Sequence, residues 1–453
     1  MFVLIFMSIY IMKYDIVIIG GGIGGLYCAY RLLKGGFQGS LVVLEKEKKL
    51  GGRVHTYRDK HMMVEAGAGR FHDGHVRVIE LIRELGLGRA MVPIRSNAVF
   101  APSDGRGVVM NSVLDAPGAW PIVDGMLDVG LGAQNIPSAG LISRVIVASK
   151  LRSAEYLRGI SFVDYAKTVL TMEEVDFVLA TFGYYSELVI MNAYDSIALM
   201  GDLGPGNQFF VLRGGLSQII DRLVEKIEKM GGVIRAGKTV EKVEYAGGEF
   251  AIWCAENKRF LVGKQCICAI PKQVMEKISF VGLGSRAWKA RLRRELVCAP
   301  LCRIYAKFAK GDVWFRGLPK MTTNNALRMI IPISEKDGVI MISYSDNLFA
   351  DFWHKLEQAS GISGVIEMLR RLIQLSCGVS MPTPVAVRVF YWGCGVGYWG
   401  VGSDSSRFFG EMMCPAGGEI PLFLCGEHYS MSHQQWMEGA LETAEQVVRK
   451  IGC

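Results

Sequence analysis

Tyr14-Asp15-Ile16-Val17-Ile18-Ile19-Gly20-Gly21-Gly22-Ile23-Gly24-Gly25 is the stretch that decides the fold. Ile16 to Ile19 are all β-branched and read as a short buried strand. Gly20, Gly22 and Gly25 follow it in the pattern G-x-G-x-x-G. Leu26 to Leu33 then carries apolar and small residues on one helical face, and Gly35-Gly36 ends it. Leu41-Val42-Val43-Leu44 is a second strand, closing on Glu45, 20 residues beyond Gly25. The spacing predicts a β-α-β unit of about 30 residues. In that setting Gly20 makes the tight turn, Gly22 admits a pyrophosphate to the backbone, and Gly25 lets helix and strand pack closely. The helix N-terminus offers unpaired N–H groups to the phosphates, and Glu45 accepts from ribose hydroxyls.

The whole chain has room for such a unit and more. It has 453 residues, which at about 150 residues per domain means two or three units. Hydrophobic residues make up 50% and charged residues 21%, so a large core forms and wholesale disorder is excluded. The net charge of +8 is modest for this length and does not by itself imply nucleic acid. The 54 glycines exceed the usual share of about 7% and have no collagen-like period. Eleven scattered cysteines with no C-x-x-C pair read as a reduced, intracellular protein. The apolar run Met1–Met12 is short of the roughly 20 residues that span a membrane, and it lacks a charged n-region. It reads as an extended start, with Met7 or Met12 as initiator, in a soluble protein without stable membrane insertion.

Further along, 76–86 has helical spacing and ends at Gly86, while 88–145 is rich in Gly, Pro and Ser. Residues 150–204 look helical, and 216–230 is a clear amphipathic helix. Strands follow at 233–262 and 265–271, with strand-like segments near 302–309, 328–332, 338–344 and 385–392. The last helix covers about 433–451.

Several further motifs stand in order: Gly51-Gly52-Arg53, then Val64-Glu65-Ala66-Gly67-Ala68-Gly69-Arg70, then Gly214-Gly215-Leu216 with Val240 beyond it. Cys425-Gly426-Glu427-His428 and Gln435-Trp436-Met437 come last. Together they resemble the flavin-containing amine oxidoreductase family, which includes monoamine and polyamine oxidases and protoporphyrinogen oxidase. The resemblance is strongest over 14–72, 211–272 and 422–447. It implies an α/β fold, with a doubly wound Rossmann-type FAD-binding domain and an interleaved α+β substrate domain on a mixed sheet. The expected segments are 14–75, 205–275 and 390–453 for FAD, and 76–204 and 276–389 for substrate, after an extension at 1–13. The implied cofactor contacts are Gly20, Gly22, Gly25, Glu45, Gly51, Gly52, Arg53, Gly67, Ala68, Gly69, Arg70, Val240, Gly426, Glu427 and Met437. Arg53 offers a guanidinium fork suited to phosphate. Gly67, Ala68 and Gly69 are small enough to let a flat ring lie on backbone. The family often carries Arg two residues after the ribose-binding acid, where Glu47 stands here.

On the reacting side, the resemblance implies two facing aromatic rings in front of the flavin. Trp436 falls on one position, and Tyr398 or Trp399 falls near the other. Such a pair guides an amine by cation–π attraction and confinement. A lysine near flavin N5 follows a Pro-Leu in many members. Aligning on Pro300-Leu301 places Ala306 in that slot and Lys307 one residue on, facing away unless a bulge shifts the register. Gly397 occupies the slot of the flavin-linking cysteine, near Cys394, so FAD is expected to be non-covalent. His72 and His75 lack a third ligand nearby, so no metal is expected. The basic stretch Arg286 to Arg294 reads as a solvated helix face, with no nucleic acid expected.

The expectation is therefore an FAD-dependent oxidation of a primary or secondary amine, polyamines included, by hydride transfer to flavin N5. The partners are a small-molecule amine and an electron acceptor such as oxygen. Two alternatives stay open: dehydrogenation of a C–C bond or ring, and a non-catalytic FAD-bound binding protein.

Overall fold

The computed structural model describes residues 12–94, 97–100, 121–123, 137–202, 207–256 and 260–452. The apolar run before Met12 lies outside them, as does most of the Gly- and Pro-rich stretch between 101 and 136.

The opening motif folds as its residues dictate. Strand β1 (Met12–Ile19) pairs in parallel with β2 (Leu41–Leu44) on one side and β3 (Phe260–Cys268) on the other. Its side chains alternate between two cores. Ile16 and Ile18 pack with helix α1 (Ile23–Lys34) and helix α2 (Ser217–Lys229), whereas Val17 and Ile19 pack with Phe250, Trp288 and Leu424. A strand buried on both faces needs an unbroken apolar run, and Ile16 to Ile19 supply it. The sheet has eight strands, in the order Val233–Arg235, β2, β1, β3, Glu249–Cys254, Val240–Ala246 and Ser279–Val281. Leu422–Leu424 joins the C-terminal half of β3 in parallel. Helix α3 (Met437–Ile451) lies against α1, burying Met437, Ala440, Leu441 and Ala444.

A second, seven-stranded sheet is built around β4 (Leu296–Lys307), which pairs antiparallel with β5 (Val339–Asp346) and β6 (Ala386–Trp399). Ala299 pairs with Val396 and Leu301 with Trp392, so Gly393, Cys394 and Gly395 stand opposite Pro300 alone. Proline cannot donate to the ladder, and the strand bulges where it sits. Cys302, Ile304 and Ala306 bury one face of β4 under the long helical segment Asn347–Cys377. That segment is kinked at Gly361 (φ 61), which breaks the apolar period and hides the element from a reading of spacing. The helical 150–204 region is a set of short helices, among them Ala154–Arg158, Phe162–Ala166, Met172–Thr181 and Ala193–Asp202, around Phe162 and Tyr165. No described helix is long and apolar enough to cross a membrane.

Candidate cofactor and substrate site

The glycines of the first turn separate into two kinds. A Cβ on Gly25 would stand 2.0 Å from the Gly20 carbonyl oxygen, and one on Gly20 would stand 2.4 Å from the Ala269 carbonyl. The fold itself requires both. Gly22 is different: its φ of −76° suits any residue, and an added Cβ would meet nothing nearer than the Gly51 carbonyl at 4.0 Å. A Cβ on Gly52 would approach the Gly22 Cα at 3.6 Å, and one on Gly24 the Gly426 Cα at 3.7 Å. Gly22 and Gly52 line an open cradle at the start of α1, which Gly24 backs by packing on Ala440 of α3; α1 has no side-chain cap and so leaves its first N–H groups to a ligand. Glu45 borders the cradle. Its two carboxylate oxygens accept from Gly21 N at 2.8 Å and Glu47 N at 2.9 Å, tying the glycine turn to β2. Each oxygen keeps a lone pair for a hydroxyl.

Arg53 does not stand free for a phosphate. Its guanidinium pairs with the Glu427 carboxylate and donates to the Gly395 carbonyl at 2.9 Å. Burial would raise the Glu427 carboxyl, but His428 and Arg53 beside it hold it down at about 2. His428 is buried and burial keeps its pKa below the ordinary value. Its Nδ1 accepts from Lys272 N at 3.3 Å, which assigns the neutral ring's proton to Nε2, 2.9 Å from the Glu427 carboxylate.

The Glu65–Arg70 loop hangs from the second sheet. The Glu65 carboxylate accepts from Leu216 N at 2.7 Å, and burial raises its pKa. Its carbonyl accepts from Arg303 Nη1 at 3.0 Å and from Tyr305 OH at 2.7 Å, while the Ala66 carbonyl accepts from Trp392 Nε1 at 2.6 Å. The small residues here answer to protein neighbours. A Cβ on Gly67 would stand 1.8 Å from the Arg53 carbonyl, and one on Gly69 would stand 3.0 Å from the Arg303 guanidinium. Arg70 donates to Tyr184 OH at 2.8 Å and lies 4.4 Å over the Phe209 ring. Arg303 lies 4.6 Å over the Tyr344 ring, and Tyr184 and Tyr344 meet edge to face at 5.8 Å. The two guanidinium groups thus meet one aromatic pair, Arg70 at Tyr184 and Arg303 at Tyr344, and Arg303 also lies against Gly69.

Trp436 caps α3 and has ring contacts with His75 at 4.6 Å, His72 at 5.7 Å and Phe209 at 6.5 Å. It also packs on the edge of the core cluster that holds its expected partners, Tyr398 and Trp399. Tyr398 and Trp399 are core residues of β6, opposite Val297 and Leu296. Trp399 donates to the Ser430 carbonyl at 3.0 Å and packs on Phe408, while burial and then the Glu187 and Asp346 charges push the Tyr398 phenol well up. The aromatic partners of Trp436 are the histidines that the sequence reading weighed only as metal ligands. His75 is fully buried with no hydrogen-bond partner at Nε2, and burial, with His72 and His433 nearby, lowers its pKa to about 2.

The parity of β4 is the reverse of the alignment on Pro300. Ala306 faces the core with Cys302 and Ile304, whereas Arg303 and Tyr305 face the Glu65 loop. Alternation carries Lys307 to that same face, but at the far end of the strand, opposite Val339 and Ala386. The cation nearest the Gly69 turn is Arg303. Val240 is buried at the start of its strand, and Met437 at the start of α3.

The cysteines also depart from expectation. Cys298 of β4 and Cys394 of the β6 bulge form a disulfide, 96 residues apart in sequence and 5.2 Å apart at Cα. Spacing alone gives no sign of a pairing that strand register creates. Eight other described cysteines are free.

The first sheet is mixed, with a parallel core of β2, β1 and β3, and its glycine turn stands together with the Glu65–Arg70 loop that the second sheet holds. Residues 23–452 match the flavin containing amine oxidoreductase family, and the chain belongs to that family. It is 24% identical to a flavin-dependent L-tryptophan oxidase of Lentzea aerocolonigenes, over 96% of this chain and 97% of that one. Its fold is similar to that of putrescine oxidase bound to putrescine, with TM-score 0.72 and 15% identity over 97% of this chain and 99% of the other. It is also similar to cyclohexylamine oxidase from Brevibacterium oxydans, with TM-score 0.70 and 16% identity over 97% and 100%.

Proposed function

We propose that the chain holds FAD non-covalently and oxidises a small primary or secondary amine that also carries a carboxylate, as an α-amino acid does. The observation that supports this is a pair of cations at one aromatic pair, Arg70 at Tyr184 and Arg303 at Tyr344, with Arg303 set against Gly69. Two permanent cations beside the reaction space repel a dicationic polyamine and attract a carboxylate. The relative named for tryptophan oxidation agrees in chemistry with this choice.

The chain's own residues suit the cofactor. Gly22 and Gly52 leave room for a pyrophosphate, the uncapped start of α1 supplies N–H groups, and Glu45 accepts from a ribose. Bound flavin supplies a hydride acceptor at N5 for the carbon next to the amine nitrogen. Arg303 and Arg70 fix the carboxylate, and so turn that carbon. Trp436 and the buried His75 wall the site and exclude water. His75, neutral through burial, leaves the amine free to enter without a competing charge. Gly397 in place of a linking cysteine supports non-covalent attachment.

The interleaved division into 14–75, 205–275 and 390–453 against 76–204 and 276–389 is the organisation we propose. Ser279–Val281 nevertheless joins the first sheet, and β6 continues in the second to Trp399. Eight free cysteines favour a reducing, intracellular setting. The partners are then the amine and an electron acceptor such as oxygen.

Anaerobic mixing with a panel of amino acids, polyamines, simple amines and cyclic substrates tests the reading. Flavin bleaching is expected with amino acids. Bleaching by polyamines or ring substrates alone overturns the substrate class, and protein that never takes up FAD overturns the whole reading.

A further inference from the structure

We propose that Cys298 and Cys394 form a thiol–disulfide exchange site for low-molecular-weight thiols and disulfides, whose oxidation state sets how tightly the cofactor cradle holds its ligand. The proposal rests on the reading of that cradle as the FAD site. Three observations carry it.

First, the pair is the one disulfide among the described residues. Eight other described cysteines, most of them buried, stay as thiols, so this is not one bridge of an oxidised scaffold. Both half-cystines are only partly buried and so within reach of a small thiol. Second, the bridge clamps a break in the ladder. Gly393, Cys394 and Gly395 bulge opposite Pro300, and no strand pairing holds them between Val396 and Trp392. The disulfide to Cys298 restrains that bulge, and the Gly395 carbonyl in it accepts from Arg53. Third, the sulfurs touch the same buried histidine. Cys394 Sγ lies 3.7 Å from His428 Nε2 and Cys298 Sγ 3.9 Å from His428 Nδ1, and His428 pairs with Glu427, the carboxylate that holds Arg53.

The exchange balances without a metal or a further oxidant. An external thiolate attacks Cys298 Sγ, the Cys298–Cys394 bond breaks, and Cys394 leaves as a thiolate. Cys394 is the better leaving group because the His428 Nε2–H stands beside it, with the Arg53 cation on the far side of that histidine nitrogen. A second thiolate then attacks the mixed disulfide. It releases Cys298 as a thiolate and forms the external disulfide, which carries away the two electrons' worth of oxidation. Each protein thiolate takes a proton from solvent. The freed bulge no longer fixes the Gly395 carbonyl, and Arg53 loses one of its anchors.

The test uses the full-length, cofactor-loaded protein in glutathione buffers of graded thiol-to-disulfide ratio. Thiols are alkylated after acid quenching and located by peptide mass, and FAD release on dilution is followed by its fluorescence. Cys298 and Cys394 should become alkylated together across the series, with FAD release rising roughly tenfold in the reduced protein. Cys298→Ser and Cys394→Ser should release FAD at the reduced rate in every buffer, and Cys394→Ser should trap glutathione on Cys298. A pair that stays oxidised in the most reducing buffer overturns the proposal. So does reduction with no change in release, or one zinc ion retained per reduced chain on Cys298, Cys394 and His428, whose ligand atoms lie within 4.8 Å of one another. If the protein never binds FAD, the alkylation series still reports the exchange, so failure of the cofactor reading is distinguishable.

Discussion

Arg303 and Gly69 are fitted to each other: a Cβ on Gly69 would stand 3.0 Å from the Arg303 Nη1 atom, which itself donates to the Glu65 carbonyl. The guanidinium is therefore locked against the loop that carries Arg70, and the absence of a side chain at 69 leaves it room. A charge-assisted hydrogen bond to a ligand contributes about 1.5–3 kcal/mol. Arg303→Met should accordingly raise KM for an α-amino acid roughly ten- to hundredfold, while the matching amine without its carboxylate keeps its kcat/KM. Arg303→Lys should fall between the two, since it keeps the charge and loses the fork. Steady-state kinetics on the matched pair of substrates decide it. Equal losses on both would mean that Arg303 acts only by supporting the loop.

Gly22 and Gly25 sit three residues apart in one motif and should fail in different ways. Gly25→Ala drives a methyl into the Gly20 carbonyl, and overpacking of this kind costs about 1–3 kcal/mol. Gly22→Ala meets no protein atom within 4.0 Å, so its unfolding midpoint should stay within about 0.5 kcal/mol of the parent. Its FAD affinity should nevertheless fall at least tenfold, or about 1.4 kcal/mol. Urea titration and FAD fluorescence on both variants check this. Full FAD affinity in Gly22→Ala would show that the cradle is not the phosphate site.

The contrast shows what the chain discloses on reading. The first β-α-β unit was legible because a doubly buried strand, a glycine turn and an acid at a fixed distance each have a local cause. Helix 217–229 was legible from its period for the same reason. Arg303, Tyr305 and Trp392 were not, because their task depends on which face of β4 and β6 meets the Glu65 loop. That face depends in turn on register shifts at Pro300 and beyond Ile304, which alternation alone does not reveal. The quoted segment Pro300–Lys307 did hold the signal: Arg303 and Tyr305 share one parity, and two polar residues on one face of a buried strand need partners. The Trp436–His75 contact joins residues 361 apart and has no local sign at all.

Acid should separate two charged sites. Glu427 ordinarily titrates near 4.5 and does so at about 2 in the fold. A depressed carboxyl stabilises above its unfolded value and loses that contribution as pH falls from about 4.5 toward 2, on the order of 3 kcal/mol. Glu427→Gln should be markedly less stable than the parent at neutral pH, with the gap closing below about pH 4. His75 is also depressed, from 6.5 to about 2, so the fold loses stability as pH drops below 6.5, where the unfolded ring takes up a proton. His75→Phe should flatten the profile from about pH 6.5 downward, so that the slope left below about pH 4.5 is that of Glu427. Denaturant midpoints at pH 7, 5.5, 4.5 and 3.5 resolve the two. A Glu427→Gln gap that is constant with pH would rule out the linkage.

Trp436 and Trp399 test where the reaction space lies. Trp399 is fully buried, donates to Ser430 and packs on Phe408. Truncating a buried tryptophan costs about 3–5 kcal/mol, so Trp399→Ala should lower the unfolding midpoint sharply. Any Trp399→Ala protein that still folds should retain the parent's substrate preference. Trp436 is only partly buried at the cap of α3, against His75 and Phe209. Trp436→Ala should lose less than about 2 kcal/mol of stability. Its kcat/KM should fall at least tenfold, because the wall that excludes water and orients the amine is gone. Calorimetry and steady-state kinetics on the two variants read both quantities. The opposite pattern, stability lost at Trp436 and activity lost at Trp399, would move the substrate site to the β6 face and return Tyr398 to candidacy.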